Sequence, residues 1–521
     1  MKTIHQFFEH KFFPAILVFI ISFVTYLATL APTISYGDSA EFITVVYTLG
    51  ISHPSGYPLY TLLGKLFTFL PFGSIGYRIN LMSAVVASLT VALVYFIVLK
   101  ITHKKSSGIL ASLILAFSFV FWAHAVRAEV YDLNALFLAL ILLILLKYDE
   151  TKKTSILYLL AFVYGLSFTN HLITIILALP IFFFIVTGHK VRPNKTKLNL
   201  KIIIVMLLFF TIGLFPYLYL PLRASQHPGI NWGNPENAEN LFKHIIGNQY
   251  EYHMFEHTSR TGIDTLSEAL YFLILQFTIF FGFSMIGIWK LWKTHKRMTI
   301  VLGTIILLNF MVALNYNIED IIVYYIPSYL VISIFIGIGL VEIIDLLIPR
   351  YKTVLVSLIA GVMLCLSIIL YHERINLHND YGAYNYASFM FSALPKNSII
   401  FADTDDELFP LWYMQQVMQK RDDIVIISTG MLPISWYIDM LRRQYINLTL
   451  PDYNNLTDEL IRTQHLSYPE IQNISYISII FRAMIKKEIV KNNKEMYRIY
   501  NFSISNISDI KKYNMSILNR I

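Results

Sequence analysis

Apolar stretches recur along almost the whole chain, and short polar loops separate them. Runs at 12–30, 80–99, 108–123, 133–146, 202–220, 269–289, 299–314, 321–340 and 353–370 read as membrane helices. A longer run, 155–186, exceeds one bilayer thickness and is interrupted by Thr169-Asn170-His171, so it reads as two helices joined by an outer turn. That makes about eleven transmembrane helices by the length a bilayer requires. The segment 59–72 is short for a span and reads as re-entrant or interfacial.

The loops then orient the bundle. Lys2 and Lys11, Lys100/Lys104/Lys105, Lys147/Lys152/Lys153, Lys190/Arg192/Lys195/Lys197/Lys201, Lys290/Lys293/Lys296/Arg297 and Arg350/Lys352 all fall on one side when the spans alternate. Basic loops favour the cytoplasm, so the N-terminus is expected there, with the first span as a retained signal anchor. The tail after residue 371 is then extracytoplasmic. In it, 398–402 and 424–428 read as short buried strands around a helical stretch, 407–420, with a second helix at 434–444. The expected organisation is a mainly α, polytopic membrane bundle over 1–371 and an extracytoplasmic α/β domain over 372–521. Asn-x-Ser/Thr triplets at Asn447, Asn455, Asn473, Asn501, Asn506 and Asn514 are what an Asn- and Ser-rich tail produces by chance.

Composition agrees with a bilayer as solvent. Hydrophobic residues make up 56% of the 521 and charged residues 14%, more apolar surface than one soluble core can hide. The net charge of +8 is dispersed among the interhelical loops and is no nucleic-acid footprint. The single Cys365 excludes an intramolecular disulfide.

Chemistry concentrates in the loops on the other side. Asp38 and Glu41, three residues apart after the first span, would share a helix face as a general base and its neighbour, or serve as N-cap and capping box. His53 and Tyr57 lie in the rigid turn H-P-S-G-Y-P, and Arg78 in Y-R-I-N. Arg127 stands at the outer surface, suited to a lipid phosphate or to pairing with Glu129 or Asp132. His171 occupies another outer turn, Arg223 ends a span, and Trp232 sits in an amide-rich loop whose side chains suit a sugar ring. No His/Cys ligand cluster is visible, so no metal ligands and no cofactor are assigned, and the metal requirement is left open.

P-T-I-S-Y-G-D-S-A-E-F, H-P-S-G-Y-P-L-Y and Y-R-I-N-L-M-S, with the later blocks R-A-E-V-Y-D-L-N, G-L-S-F-T-N-H, Y-L-P-L-R-A-S, N-W-G-N-P and D-T-D-D-E-L-F-P-L-W-Y-M-Q, resemble a known family. It includes the animal endoplasmic-reticulum O-mannosyltransferase acting on plexin-type domains and looks like a branch of the GT-C glycosyltransferases. The resemblance implies an inverting transfer of a sugar, mannose first, from a polyprenyl-phosphate donor to an extracytoplasmic hydroxyl of a protein or glycan. It makes Asp38 the catalytic base with Glu41 beside it. Arg127, Arg223 and His171 become donor-phosphate ligands, and His53, Tyr57, Arg78, Glu129 and Trp232 substrate contacts. The partners are the lipid-linked sugar, its acceptor and membrane lipid, with no nucleic acid. The bacterial inner membrane is preferred to the endoplasmic reticulum. The competing classes are a transporter or lipid flippase, which would place charges at mid-membrane, and a non-catalytic membrane scaffold.

Overall fold

A computed structural model describes residues 11–191, 199–254, 262–318, 320–452, 455–456, 458 and 475–501. Lys2, Arg192, Lys195, Lys197 and the triplets at Asn473, Asn506 and Asn514 lie outside the described residues. The chain forms two compact units that interleave in sequence. The first comprises 1–32, 57–219 and 245–379; the second comprises 33–56, 220–244 and 380–521.

The first unit is a helix bundle. Among the described residues six helices are long and apolar enough to cross a membrane: Ile75–Thr102, Tyr131–Thr151, Leu266–Thr294, Lys296–Leu314, Ile321–Leu347 and Pro349–Ile375. Two bent pairs, Lys105–Ala116 with Phe119–Ala125 and Leu200–Gly213 with Phe215–Ala224, raise the number to eight if each pair is one span. Phe12–Ala28, Thr154–Phe168 and Leu172–Gly188 are apolar but shorter. Every predicted segment thus coincides with a helix or a helix pair; among the described residues, six to eight of these pass on length and composition, and the three shorter apolar helices account for the other predicted spans. The expected re-entrant segment is a ten-residue helix, Pro58–Phe67.

One face of Phe12–Ala28 illustrates the solvent these helices require. Phe12, Ile16, Ile20 and Val24, four residues apart, are exposed, while Ala15, Val18, Ser22 and Tyr26 are buried. Such an apolar stripe suits lipid and would be a liability in water. Inside the bundle, small residues bring backbones together. A Cβ at Gly287 would lie 1.9 Å from the Phe335 carbonyl oxygen, and one at Gly339 2.0 Å from that of Phe283. Phe283–Thr294 and Ile326–Leu347 therefore pack at a spacing only glycine permits.

The loops expected to be cytoplasmic meet at one end of this unit. Lys104 pairs with Asp345 at 2.7 Å, Lys290 with Glu342 at 2.5 Å, Lys352 with Asp345 at 2.7 Å, Arg297 with Asp149 at 3.0 Å, and Lys100 with Glu150. Each such pair contributes little energy, but together they tie the ends of helices that strict alternation had assigned to one side. The loops assigned to the opposite side are also bonded to one another. Ala31 N–H donates to Val126 at 3.0 Å, the Asn80 amide to Ala31 at 2.9 Å, and the Asn170 amide to Val130 at 3.1 Å.

The second unit is α/β. Its parallel sheet has the order β2-β1-β3, with β1 at Ser398–Ala402, β2 at Val425–Ser428 and β3 at Arg498–Asn501. Both predicted strands form, and β1 and β2 are buried along their length, as parallel strands covered on both faces must be. The predicted helix between them is Asp405–Trp412 followed by a wider turn, Tyr413–Val417. Thr404 and Glu407 form a capping box that fixes where this helix starts. β3, which follows the turn after Asn492-Asn493, is an additional strand beyond the two expected from the sequence.

Candidate active site

The Asp38–Thr48 helix lies in the second unit, beside Asp405–Trp412. Its N-cap is Gly37, at φ +74°, with no side-chain cap. The expected alternative of Asp38 as N-cap and Glu41 as capping-box partner is therefore not the arrangement formed: Asp38 is the first helical residue. Glu41 turns instead to the H-P-S-G-Y-P loop, where Oε1 accepts from His53 N–H at 2.8 Å and Oε2 faces His53 Nδ1 at 2.5 Å. Glu41 is fully buried. His53 Nε2 lies 3.9 Å from Asp38 Oδ2, and the Asp38 side chain is 41% exposed, so water reaches it.

The charges follow from this geometry. Burial pulls the His53 pKa down, but Glu41, the Asp38 charge and the Glu41 hydrogen bond outweigh it and hold His53 at about 9. It is an imidazolium at neutral pH, with a carboxylate at each nitrogen. Asp405, at the start of its helix, keeps an exposed surface, but the protein around its carboxyl and then the Asp38 and Glu41 charges push it up to about 6. The neighbouring Asp406 is employed structurally: its Oδ1 accepts from Gly37 N–H at 2.7 Å. Asp38, Glu41 and His53 each present a ligand atom within 4.8 Å of the other two, a set one cation could also use. Sequence spacing hid this mixed cluster because His53 comes twelve residues after Glu41.

Trp232 joins the same unit through backbone pairing. Ile51 N–H donates to Ile230 at 2.8 Å and Trp232 N–H to Ile51 at 3.2 Å, which sets the two loops side by side. The Trp232 ring lies 6.1 Å from His53, 6.5 Å from Phe409 and 6.0 Å from Trp436, and only 8% of the residue is exposed. It is a wall of the cluster more than an open platform. Arg223 is not brought to Asp38. Its Nε donates to the Leu49 carbonyl at 2.7 Å, another nitrogen to that of Thr48 at 3.3 Å, and a third to Gln226. It clamps the far end of the eleven-residue helix, about 15 Å along the axis from Asp38.

The remaining predicted residues belong to the first unit. Arg127 Nε lies 3.4 Å from Glu129 Oε1, and an Arg127 terminal nitrogen lies 3.3 Å from His124 Nε2. His124 Nδ1 faces the Val120 carbonyl at 2.8 Å. A carbonyl can only accept and a guanidinium can only donate, so His124 is the neutral Nδ1–H tautomer. Glu129 is buried, and Asp132 is fully buried with neither oxygen hydrogen-bonded among the described residues. His171 Nδ1 accepts from Ile173 N–H at 3.2 Å, and its ring lies 5.8 Å from Tyr57, 5.6 Å from Tyr131 and 5.6 Å from Tyr324. Arg78 donates to the carbonyls of Phe72 at 2.9 Å and Thr68 at 2.8 Å, closing the turn after Pro58–Phe67.

The fold is that of a GT-C-like membrane helix bundle with an appended α/β part. It is similar to ArnT from Cupriavidus metallidurans bound to undecaprenyl phosphate, with TM-score 0.56 and 12% identity over 81% of this chain and 90% of that one. It is also similar to the apo state of ArnT, with TM-score 0.51 over 80% of this chain and 90% of that one. More particularly, residues 38–195 match the model of the protein O-mannosyl-transferase TMEM260 N-terminal domain, and residues 383–518 match TMEM260-associated domain 2. The chain is 24% identical over 468 residues to protein O-mannosyl-transferase TMEM260 of Mus musculus, and 24% over 476 residues to that of Dictyostelium discoideum. These alignments cover 84% and 81% of this chain but 65% and 58% of the relatives, so the chain spans about six-tenths of their length. The resemblance read from the sequence blocks is thus met by the family models, the relatives and the fold.

Proposed function

We propose that this chain is a membrane glycosyltransferase that moves a sugar, mannose, from a polyprenyl-phosphate donor to an extracytoplasmic hydroxyl, the Ser/Thr of a protein. The observation that carries the reading is the Asp38 cluster: an accessible carboxylate beside a buried Glu41–His53 pair, within the block matched by the O-mannosyltransferase model. The ArnT likeness supports a bundle able to house a lipid-phosphate donor, since that protein was solved with undecaprenyl phosphate.

In this reading Asp38 takes the proton of the acceptor hydroxyl as its oxygen attacks the anomeric carbon from the side opposite the phosphate. The bond from the anomeric carbon to the phosphate oxygen breaks with inversion, and polyprenyl phosphate leaves with one more negative charge than the donor carried. His53, held between Glu41 and Asp38, keeps the Asp38 carboxyl charged and oriented. Arg127 stabilises charge on the departing phosphate, with His124 and Glu129 fixing its fork and His171 lining the donor's approach. Arg223 and Arg78 act as backbone clamps. The reaction occurs on the face away from the basic loops, either the outside of a bacterial inner membrane or the lumen of the endoplasmic reticulum. The test is to incubate the purified protein with polyprenyl-phosphate mannose and a Ser/Thr-containing peptide and read the peptide by mass spectrometry. A hexose added to a Ser or Thr supports the reading; an unmodified peptide with donor intact overturns it.

A further inference from the structure

Three consecutive acids open the Asp405–Trp412 helix, and they do not do the same work. Glu407 is buried and accepts from the backbone N–H of Asp403 at 2.7 Å and from that of Thr404 at 3.4 Å, the second completing the cap. Asp406 holds Gly37 N–H at 2.7 Å and so fastens the residue before Asp38. Asp405 is exposed, and its charge acts on His53. It stands just beyond the carboxyl end of β1, the central strand of the sheet. In parallel α/β sheets that edge, where neighbouring connections diverge, is where ligands bind.

Trp436 comes to the same edge from β2. It follows that strand on the Ser435–Gln444 helix. Its indole packs edge-on against Tyr437, centroids 5.9 Å apart, and the buried Tyr437 hydroxyl accepts from Ser428 N–H at 2.7 Å. The sheet thereby fixes the tryptophan. Its other neighbour is Trp232, 6.0 Å away and itself 6.1 Å from His53. Trp232 is almost covered, whereas Trp436 is only half-buried, so the aromatic surface facing outward is Trp436.

We propose that Asp405 and Trp436 form the acceptor-positioning wall of the transfer site, binding the polypeptide that carries the Ser/Thr hydroxyl. The inference rests on the glycosyltransferase reading above. The occupant is the acceptor rather than the donor for a physical reason. An isoprenoid chain needs apolar helices of membrane length, and among the described residues those belong to the first unit, apart from the end of one bent pair. A peptide arriving from water offers N–H and hydroxyl donors to a carboxylate and apolar side chains to an indole face, which is what Asp405 and Trp436 present. Asp405 and Trp436 act by positioning, so their signature is a split between KM and kcat.

The experiment measures transfer from polyprenyl-phosphate mannose to a Ser/Thr-containing peptide across peptide concentrations, for the full-length chain and for Asp405→Asn, Trp436→Ala and Trp436→Phe. Expected are an acceptor KM raised about tenfold by Asp405→Asn and by Trp436→Ala, kcat within about twofold at saturating peptide, and partial recovery in Trp436→Phe. Asp405 is exposed and caps nothing, so its variant tests the idea even if Trp436→Ala misfolds. An unchanged acceptor KM in Asp405→Asn, or a loss confined to kcat, overturns the inference while leaving the glycosyltransferase reading intact. No transfer by the unsubstituted chain overturns both.

Discussion

Two charged clusters, one in each compact unit, are built from the same residue types and carry opposite proton arrangements. In the second unit His53 is the cation: both its nitrogens face carboxylates, and its pKa is held at about 9. In the first unit His124 is the neutral base: one nitrogen donates to Val120 and the other receives Arg127. The acids divide in the same way. Asp38 is open to water while Glu41 is sealed beneath it; Glu129 and Asp132 are both buried, with one guanidinium to answer them. The first arrangement leaves a water-exposed carboxylate beside an imidazolium. The second sets a guanidinium between a buried carboxylate and a neutral imidazole. Under the proposed function the first would supply the base and the second the charge that meets the leaving phosphate.

The sharpest way to break the comparison is to remove the accessible base. Asp38→Asn keeps size and polarity at a partly exposed position, so the protein should fold and insert with an unchanged melting temperature. Transfer should fall about 10³-fold in a donor–acceptor assay. Activity within a few-fold of the unsubstituted chain would remove Asp38 from the mechanism. Next in size is Arg127→Ala, expected to slow transfer about 10²-fold by withdrawing the charge that answers the leaving phosphate. Arg127→Lys should recover only part of this, because an ammonium cannot hold Glu129 and His124 through one planar fork. Full recovery by lysine would show that the two contacts are incidental.

A pH profile separates the clusters more finely. His53 has a folded pKa raised above its unperturbed 6.5, so what it contributes is fully present below 6.5 and is lost as pH rises through about 9. Activity should therefore fall on the alkaline side near 9. In Glu41→Gln the desolvation that Glu41 had offset prevails, and the alkaline limb should move down toward 6.5. Rate measurements from pH 5 to 10 on both proteins decide it; an unmoved limb would falsify the assignment of His53 as a Glu41-stabilised cation.

How much of this was legible beforehand differs between the parts. The apolar runs and basic loops located the helices, because a bilayer leaves only one pattern open to a spanning segment and the ends had to alternate. The strands at 398–402 and 424–428 were legible as short apolar runs between turns. Asp38, Glu41 and His53 all stood out, but their pairing did not: His53 reaches Glu41 through a loop whose path depends on Ile51 pairing with Ile230, and backbone pairing between distant loops leaves no mark in residue type. Asp405 lay in a recognised block, D-T-D-D-E, with no hint which of its acids would cap, fasten or face the cluster. Trp232 was read as suited to a sugar ring, and the structure sets Phe409 and Trp436 of the tail against it.

Arg223 gives the smallest effect and the cleanest contrast with Arg127. Both arginines end apolar helices, and in sequence both suit a phosphate. Arg127 meets side chains, an acid and a histidine, and is partly exposed. Arg223 spends its guanidinium on the carbonyls of Thr48 and Leu49, where the Asp38–Thr48 helix ends with Leu49 in a left-handed turn. A helix terminus leaves its last carbonyls without partners, and an arginine fork satisfies two of them at once. Arg223→Ala should therefore cost about 1–3 kcal/mol of stability, read as a lowered melting temperature, with transfer reduced only a few-fold at temperatures where the protein stays folded. A loss of donor affinity in Arg223→Ala as large as that in Arg127→Ala, with stability unchanged, would move Arg223 from clamp to ligand.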